Sequence, residues 1–438
     1  MLGYEKEQRS LTREQKEAVG LLSVGTLLEY FDLMLYIHMA SLLNELFFPK
    51  FDAHAAFLLT AFSFCSTYAF RPIGALIFGY LGDKIGRKST VVITTFLMAG
   101  SCLVMSALPT YAEYGAFAAV IVTICRAVQG ISSLGEIVGA ELYITETNQP
   151  PIQYPMVALC EVFGNIGGVA ALGVAALATS HGFNWRLAFL FGAVIAMVGA
   201  VARTRLRETP EFTDATKRLT NKLENVGIKK NDINISILNE DKLNIKTILA
   251  YLPLETTGPI CFYFSSIQSG EILKNKFDYT AHQVISHNLN VGITSLVATI
   301  ILSYLSYKIH PLKILKIRWT IFTTVFLFYP YWLNNLQSPS QLLLLQLFVQ
   351  IFAVRIFPAA PVFYKHFPVL KRFRCATISF AVVRTVMFLL ISFGLIYLIE
   401  YFTYWGLLIL ALPFIILYRF GLNYFEKLEN ERAENLLS

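Results

Sequence analysis

The sequence predicts an all-α membrane protein of twelve transmembrane helices in two six-helix bundles, and three observations carry that reading. Hydrophobic residues make up 55% of the 438 and charged residues only 15%, with a mean hydropathy of +0.55, a composition too apolar to keep a soluble surface wet. Apolar segments of about 20 residues, each enough to cross a bilayer, recur along nearly the whole chain. With the N-terminus inside, about 28 of the 36 Lys and Arg fall in inner segments and about four in outer ones, as the positive-inside rule demands.

Taken in order, the spans fall at 17–43, 55–79, 89–108, 115–145, 156–180 and 185–206, then 247–270, 281–307, 312–333, 341–363, 374–400 and 403–420. Three regions follow: a bundle over 1–206, an inner loop over 207–246, and a second bundle with a short inner tail over 247–438. The charged first sixteen residues lead into an apolar run too long for a signal h-region, so no cleavable signal peptide is expected. The inner loop 146–155 carries no Lys or Arg, so charge asymmetry holds in sum rather than loop by loop. Trp185, Trp332 and Trp405 fall at outer interfaces and Trp319 near the inner one, as in an aromatic belt. In the central loop Thr209 can cap a helix starting at Pro210. Phe212, Ala215, Leu219, Leu223 and Val226 then recur at helical spacing up to Gly227, beside Lys217, Arg218 and Lys222. That pattern fits an amphipathic helix on the inner membrane surface, or a plain linker. The tail beyond Phe420 is too short for a coiled coil. Cys65, Cys102, Cys125, Cys160, Cys261 and Cys375 are scattered through spans without ligand or redox spacing and read as packing residues.

Between the second and third spans stands Gly79-Tyr80-Leu81-Gly82-Asp83-Lys84-Ile85-Gly86-Arg87-Lys88. Gly79 and Gly82 let backbones approach and Gly86 permits a tight turn. Asp83 can accept from donors on a facing element, and Arg87 and Lys88 can hold acids or anionic lipid. The loop after the eighth span matches it at a constant offset, with Tyr304, Leu305, Lys308 and Ile309 in place of Tyr80, Leu81, Lys84 and Ile85. There, however, Asp83, Gly86 and Arg87 have become Tyr307, His310 and Pro311. The pattern fits a decayed repeat, or a chance match in a low-complexity membrane background, with the charged gate kept in one half.

This loop resembles the inner-gate motif of the major facilitator superfamily. Arg126-Ala127-Val128-Gln129-Gly130, with Gly135-Glu136 and Gly139-Ala140, fits a second motif in the fourth span. Glu29-Tyr30-Phe31-Asp32, Arg71-Pro72-Ile73-Gly74, Asn184-Trp185-Arg186 and Arg207-Glu208-Thr209-Pro210-Glu211-Phe212 look like the metabolite:proton symporters, especially their proline/betaine transporter branch. The match runs through most of the first half. In the second half it is mainly Phe367-Pro368 with Arg372 and Arg374, and Leu134 stands where the family usually has glycine. The resemblance implies the major facilitator fold and proton-coupled transport of a small metabolite.

An ionisable side chain in a span is costly and faces a wet cavity or a partner. Glu29, Asp32 and Tyr36 share one face of the first span, and Arg126, Gln129, Ser133, Glu136 and Ala140 one face of the fourth. A carboxylate beside a fixed cation keeps a low pKa, and moving the cation raises it, so this set can couple protonation to conformation; it can equally hold helices together. Glu161 and Asn165 in the fifth span are candidate cavity residues. Arg355 and Arg384 are the second-half candidates, suited to a substrate carboxylate. Arg71, Gly79, Gly82, Asp83, Lys84, Gly86, Arg87, Lys88, Glu136 and Glu141, with Glu146, make up the expected cytoplasmic gate. His282 and His287 open the eighth span as capping or proton-handling groups. Gly164, Gly167 and Gly168 permit close packing of the fifth span, and the resemblance implies symport, since superfamily antiporters often carry Gly-Pro where this chain has Gly164-Asn165.

The expected function is secondary active transport, proton-driven uptake of a zwitterionic or carboxylated metabolite such as a proline- or betaine-like osmolyte or an organic acid. The alternatives are a uniporter or exchanger of the same fold and a non-transporting relative acting as a sensor. No phosphate-binding loop, metal spacing or nucleophile motif points to an enzyme. The expected partners are the substrate, protons and membrane lipids, with no cofactor beyond the proton gradient, no nucleic acid, and a monomer with both termini cytoplasmic in a bacterial inner membrane.

Overall fold

The computed structural model describes residues 7–47, 53–178, 184–225 and 243–437. Val226, Gly227 and the side chains of Cys65, Leu134, Glu136, Leu219, Leu223 and His282 lie outside the described residues. The first half is α1 (Arg13–Phe47), α2 (Ala53–Lys84), α3 (Arg87–Ala107), a single turn α4 (Tyr111–Tyr114), α5 (Ala116–Thr147), α6 (Gln153–Ala178) and α7 (Trp185–Arg203). The linker holds α8 (Pro210–Asn225). The seventh span is α9 (Ile245–Phe262), a π-helical turn (Tyr263–Gln268) and α10 (Ser269–Phe277), and the eighth is α11 (Ala281–Lys308). The ninth is α12 (Pro311–Phe326) with α13 (Tyr329–Asn334), and the tenth α14 (Pro339–Phe352) with α15 (Ala360–Tyr364). The eleventh is α16 (Val369–Leu389), a π turn (Leu390–Gly394) and α17 (Leu395–Phe402), and the twelfth α18 (Trp405–Leu437). Among the described residues, eight helices are by themselves long and apolar enough to cross a membrane.

Local chemistry sets the helix starts. Ser338 and Asn244 accept from the amides of Gln341 and Lys246 at the heads of α14 and α9, and Thr280 with Gln283 forms a reciprocal cap on α11. Close crossings rest on missing side chains. A Cβ on Gly167 of α6 would lie 2.1 Å from the Leu27 carbonyl oxygen of α1. Gly25 leaves room for the guanidinium of Arg203, which reaches from α7 to the carbonyls of Leu21 (3.1 Å) and Leu22 (3.0 Å) and to Thr95 Oγ1 (2.5 Å). The two halves meet along α2 against α16 and α6 against α11.

Three expectations are corrected. The tenth span is not continuous over 341–363: it breaks at residues 353–359, ahead of Pro361. In an apolar surround the freed carbonyls need donors, and neighbouring spans supply them. Thr257 donates to the Val354 carbonyl, Tyr418 to that of Arg355 (3.0 Å), and Arg318 to those of Ile351 (3.3 Å) and Phe357 (3.4 Å). The eleventh span begins at Val369, directly after Pro368, rather than at 374. Trp185 is 8% exposed and packs edge-on against Phe47 instead of lying in a belt.

The last span runs on as a single helix into the tail, which docks back on the bundle. Glu426 pairs with Lys316, Glu429 accepts from His366 Nε2 at 2.8 Å, and Phe425 is fully buried against Phe363. Burial pushes the Glu429 carboxyl up, but the His366 hydrogen bond and the charges of His366, Arg432 and His310 outweigh it and hold it below its ordinary value. Its contribution to docking is therefore complete above the ordinary carboxylate pKa and is lost as pH falls through the lowered one. Limited proteolysis across an acid pH series is expected to show the tail released only in that acid range; equal protection at every pH would refute the pairing.

Candidate functional site

At the end of the bundle carrying residues 79–88, where the gate is expected (the gate end), one polar cluster joins the two halves. Gly86 turns the chain at φ 99°, and the Glu208 carboxylate fills the space where a Cβ would stand, 1.9 Å away. It accepts from the amides of Arg87 (2.9 Å), Lys88 (3.3 Å) and Thr209 (3.0 Å), so it closes the exposed N-terminus of α3. Burial pushes Glu208 above the ordinary carboxylate range, against the pull of those amides and of Arg87.

Arg87, fully buried, is the hub. Its Nε and Nη2 grip Glu146 at 3.1 Å, Nη1 donates to the Gly82 carbonyl (2.8 Å), and Nη2 donates to the Val369 carbonyl in the other half (2.6 Å). Arg372 crosses from the second half to Glu146 (3.2 Å) and Glu211 (2.6 Å). Asp83 accepts from the amides of Phe373 (3.2 Å) and Arg374 (3.1 Å) of α16. A Cβ on Gly82 would meet the Phe373 ring at 2.6 Å, and one on Gly79 the Thr377 hydroxyl at 2.7 Å, so both glycines let α16 close on α2.

The linker helix is part of this closure. Phe212 lies under the Arg87 guanidinium at 4.7 Å, and the Thr209 hydroxyl donates to Glu146 at 2.6 Å. The first turn of α8 is thus docked on protein rather than on lipid, because Phe212 packs against a buried cation. Lys84 is exposed over the Tyr80 ring, and Lys88 meets Glu208 through its backbone.

Arg71 and Glu141 are not at the gate. Arg71 sits deeper, 3.3 Å from Glu29 and over the Tyr68 ring, inside the first half. Glu141 lines a cavity between the halves, one and a half helical turns from Glu146. That cavity, of about 40 Å³, is also lined by Tyr30, Glu161, Glu255, Arg355 and Arg384. Arg355 reaches from the break in the tenth span to Glu161 (3.1 Å), and Arg384 from α16 lies 3.8 Å from Glu255. Glu255 also accepts from Tyr251 (2.7 Å), and Glu141 from Tyr364 (2.6 Å). The space holds only a few waters, so the charged groups of each half are spent on one another.

Asp32, Tyr36, Arg126 and Gln129 are not on this cavity. They form a separate buried knot within the first half: Arg126 is 3.4 Å from Asp32 and 3.7 Å from the Tyr36 ring centre. It donates to Gln129 Oε1 (2.6 Å), while Gln129 Nε2 (3.1 Å) and Cys102 (3.3 Å) donate to Asp32. The acidic stripe of the first span is therefore split, Glu29 to Arg71 and Asp32 to Arg126. Asn165 faces α11, bonding Ser295 (3.1 Å) and Thr299 (3.3 Å), and His287 is partnered with Gln346 (2.6 Å). Glu255 and Arg203 were not singled out from sequence. Glu255 is a lone acid inside a span, so the argument applied to Glu161 covers it equally; Arg203, near an inner span end, reads as an ordinary surface cation.

The fold is that of the major facilitator superfamily. The proton:xylose symporter XylE bound to 6-bromo-6-deoxy-D-glucose superposes with a TM-score of 0.72 at 16% identity, over 94% of this chain and 95% of that one. The transporter FucP in the outward conformation gives 0.66 at 14%, over 93% and 99%. The family model for sugar (and other) transporters matches residues 19–251, and the chain belongs to that family. The inner membrane metabolite transport protein YhjE of Escherichia coli (strain K12) is 35% identical over 226 residues, 49% of this chain and 51% of that protein. The proline/betaine transporter of Salmonella typhimurium is 31% identical over 212 residues, 47% and 42%. The match thus spans about half the length of these curated relatives.

Proposed function

We propose that this chain imports a small zwitterionic or carboxylated metabolite with protons, alternating between states in which one or the other side of the central cavity is open. The carrying observation is that cavity: acids and arginines contributed by both halves, beneath a closed polar gate. Two arginines can take a substrate carboxylate bidentately while the carboxylates they release take its positive end. A sugar would leave these five charges to one another. That argues for a dipolar substrate, and the names of the proline/betaine relatives point the same way. The gate end is the cytoplasmic one, on the Lys/Arg asymmetry, and the membrane a bacterial inner membrane. The charged cavity residues of the second half, Glu255, Arg355 and Arg384, favour a working carrier over a decayed sensor. The carrier acts as a monomer and needs no cofactor beyond the proton gradient.

Asp32 in its buried knot is the proposed proton-coupling group of the first half. Purified protein in liposomes, screened against betaines, proline, dicarboxylates and sugars with and without an inward proton gradient, tests the reading. Uptake indifferent to the gradient sinks proton coupling. Asp32→Asn is expected to reduce driven uptake by at least about a hundredfold, the lower range for removing a proton-transfer group. Arg126→Lys is expected to impair it with charge preserved, since lysine lacks the planar fork that spans Asp32 and Gln129. Wild-type rates in both would make the knot purely structural.

A further inference from the structure

Asp32 and its partners share a limitation. Arg126 and Gln129 are on α5 and Cys102 on α3, all in the same half as Asp32. A bundle that rocks as a rigid body carries this knot unchanged, so its proton is not exposed to the conformational change by any contact between halves. Glu141 does bridge the halves, and it does so through a neutral hydroxyl where Glu161, Glu146 and Asp83 meet cations or backbone amides. Its Oε2 accepts from the hydroxyl of Tyr364, which is fully buried on the short helix after the break in the tenth span.

The cavity's charge count singles out the same residue. Lining the cavity with Glu141 are Tyr30 from α1, Glu161 from α6 and Glu255 from α9, with Cys160 of α6 and Tyr251 of α9 close enough to feel its charge. The cations are Arg355 and Arg384. Arg355 is committed to Glu161 and Arg384 to Glu255. Among the described residues no Lys, Arg or His nitrogen is within 4 Å of Glu141; its one described side-chain partner is the phenol. Fully ionised, the cavity holds one negative charge more than it holds positive ones. An uncompensated buried charge costs several kcal/mol, and a single proton removes it.

Resting on the proton-coupled reading above, we propose that Glu141 is a second proton-carrying site, loaded while the gate end is closed and emptied when it opens. On loading, a proton from the far-side water forms an O–H bond on the Glu141 carboxylate and leaves the cavity neutral. Opening the gate draws Tyr364 away with the other half, which by itself would retain the proton, and admits cytoplasmic water, whose solvation of the carboxylate outweighs the lost phenol. The O–H bond then breaks and the proton passes to that water. The zwitterion is served by the remaining groups, its carboxylate by Arg355 and Arg384 and its cation by Glu161 and Glu255, so substrate and proton ride together.

Glu141→Gln mimics the permanently loaded form. Exchange of substrate across the membrane needs no unloading, but the return of the empty carrier does. In liposomes Glu141→Gln is therefore expected to support counterflow while losing proton-driven accumulation. Accumulation at the wild-type level overturns the proposal. Tyr364→Phe gives an independent reading that leaves Glu141 in place. Removing the donor disfavours the ionised form, and a hydrogen bond to a charged group corresponds to a shift of about one pH unit. The alkaline limb of the uptake profile should move up by that amount. Loss of counterflow together with uptake in Glu141→Gln, with an unmoved profile in Tyr364→Phe, also overturns the proposal and makes Glu141 a packing residue. If wild-type uptake ignores the proton gradient, it is the proton-coupled reading that fails.

Discussion

Arg87→Gln is expected to open the gate end. Arg87 is buried with a full set of acceptors, and glutamine can satisfy at most two of them. Glu146, whose side chain has no exposure, would keep only Arg372 and Thr209. The Glu146 and Gly82 contacts lie within the first half, so the loss that falls on the closed state alone is that of the Val369 hydrogen bond, about 1.5–3 kcal/mol for a charged donor. A shift of that size moves the balance toward the open form by about ten- to a hundredfold. Cys375, 7% exposed on α16 just behind the cluster, is a native reporter. A membrane-impermeant thiol reagent added from the gate side should label it much faster in Arg87→Gln than in wild type. Unchanged labelling would show that the cluster is not what holds the halves together. Arg87→Lys should behave like glutamine, since an ammonium cannot reach Glu146, Gly82 and Val369 from one position.

Gly25→Val is expected to prevent accumulation of folded protein. A Cβ at position 25 would fall 1.4 Å from Arg203 Nη2, inside the guanidinium itself. The side chain would have to leave three acceptors at once, stranding a buried cation and two carbonyls of α1, a cost beyond about 4 kcal/mol. Gly20→Ala on the same helix has nothing within 4 Å of its added carbon and should stabilise slightly, by about 0.5–1 kcal/mol, since alanine is the better helix former. Size-exclusion profiles and melting temperatures in detergent check both. A monodisperse Gly25→Val with wild-type melting would refute the account of Arg203.

Much of this architecture is legible before any coordinates. Span lengths come from the thickness of a bilayer, and a polar loop such as 79–88 between two apolar runs has few other uses, so its closing on α16 follows from its chemistry. What the sequence conceals is pairing across long separations. Asp83 meets the amides of Phe373 and Arg374, and Glu141 meets Tyr364, only once two bundles have packed. Glu141 and Glu146 lie in one run of the fifth helix and look alike from sequence, yet that run leads from the cavity into the gate and gives them different surroundings. The interruption of the tenth span is harder still. Pro358 and Pro361 announce it, but its stability depends on Thr257, Arg318 and Tyr418 from three other spans.

The loss of the gate motif from the second half also has a mechanical meaning. In its place His310 opens α12 by accepting from Leu312, and Lys316 two turns on is tied to the C-terminal helix through Glu426. That corner of the molecule is braced by its own tail, and the opposite corner carries the fastening. The second bundle is then the doorframe and the first bundle the door, with the charged bolt at one corner only. With the charged bolt at one corner, its strength is the main lever on the balance between closed and open forms. Each 1.4 kcal/mol added to or taken from the Arg87 cluster resets it tenfold, without a matching change elsewhere to restore symmetry.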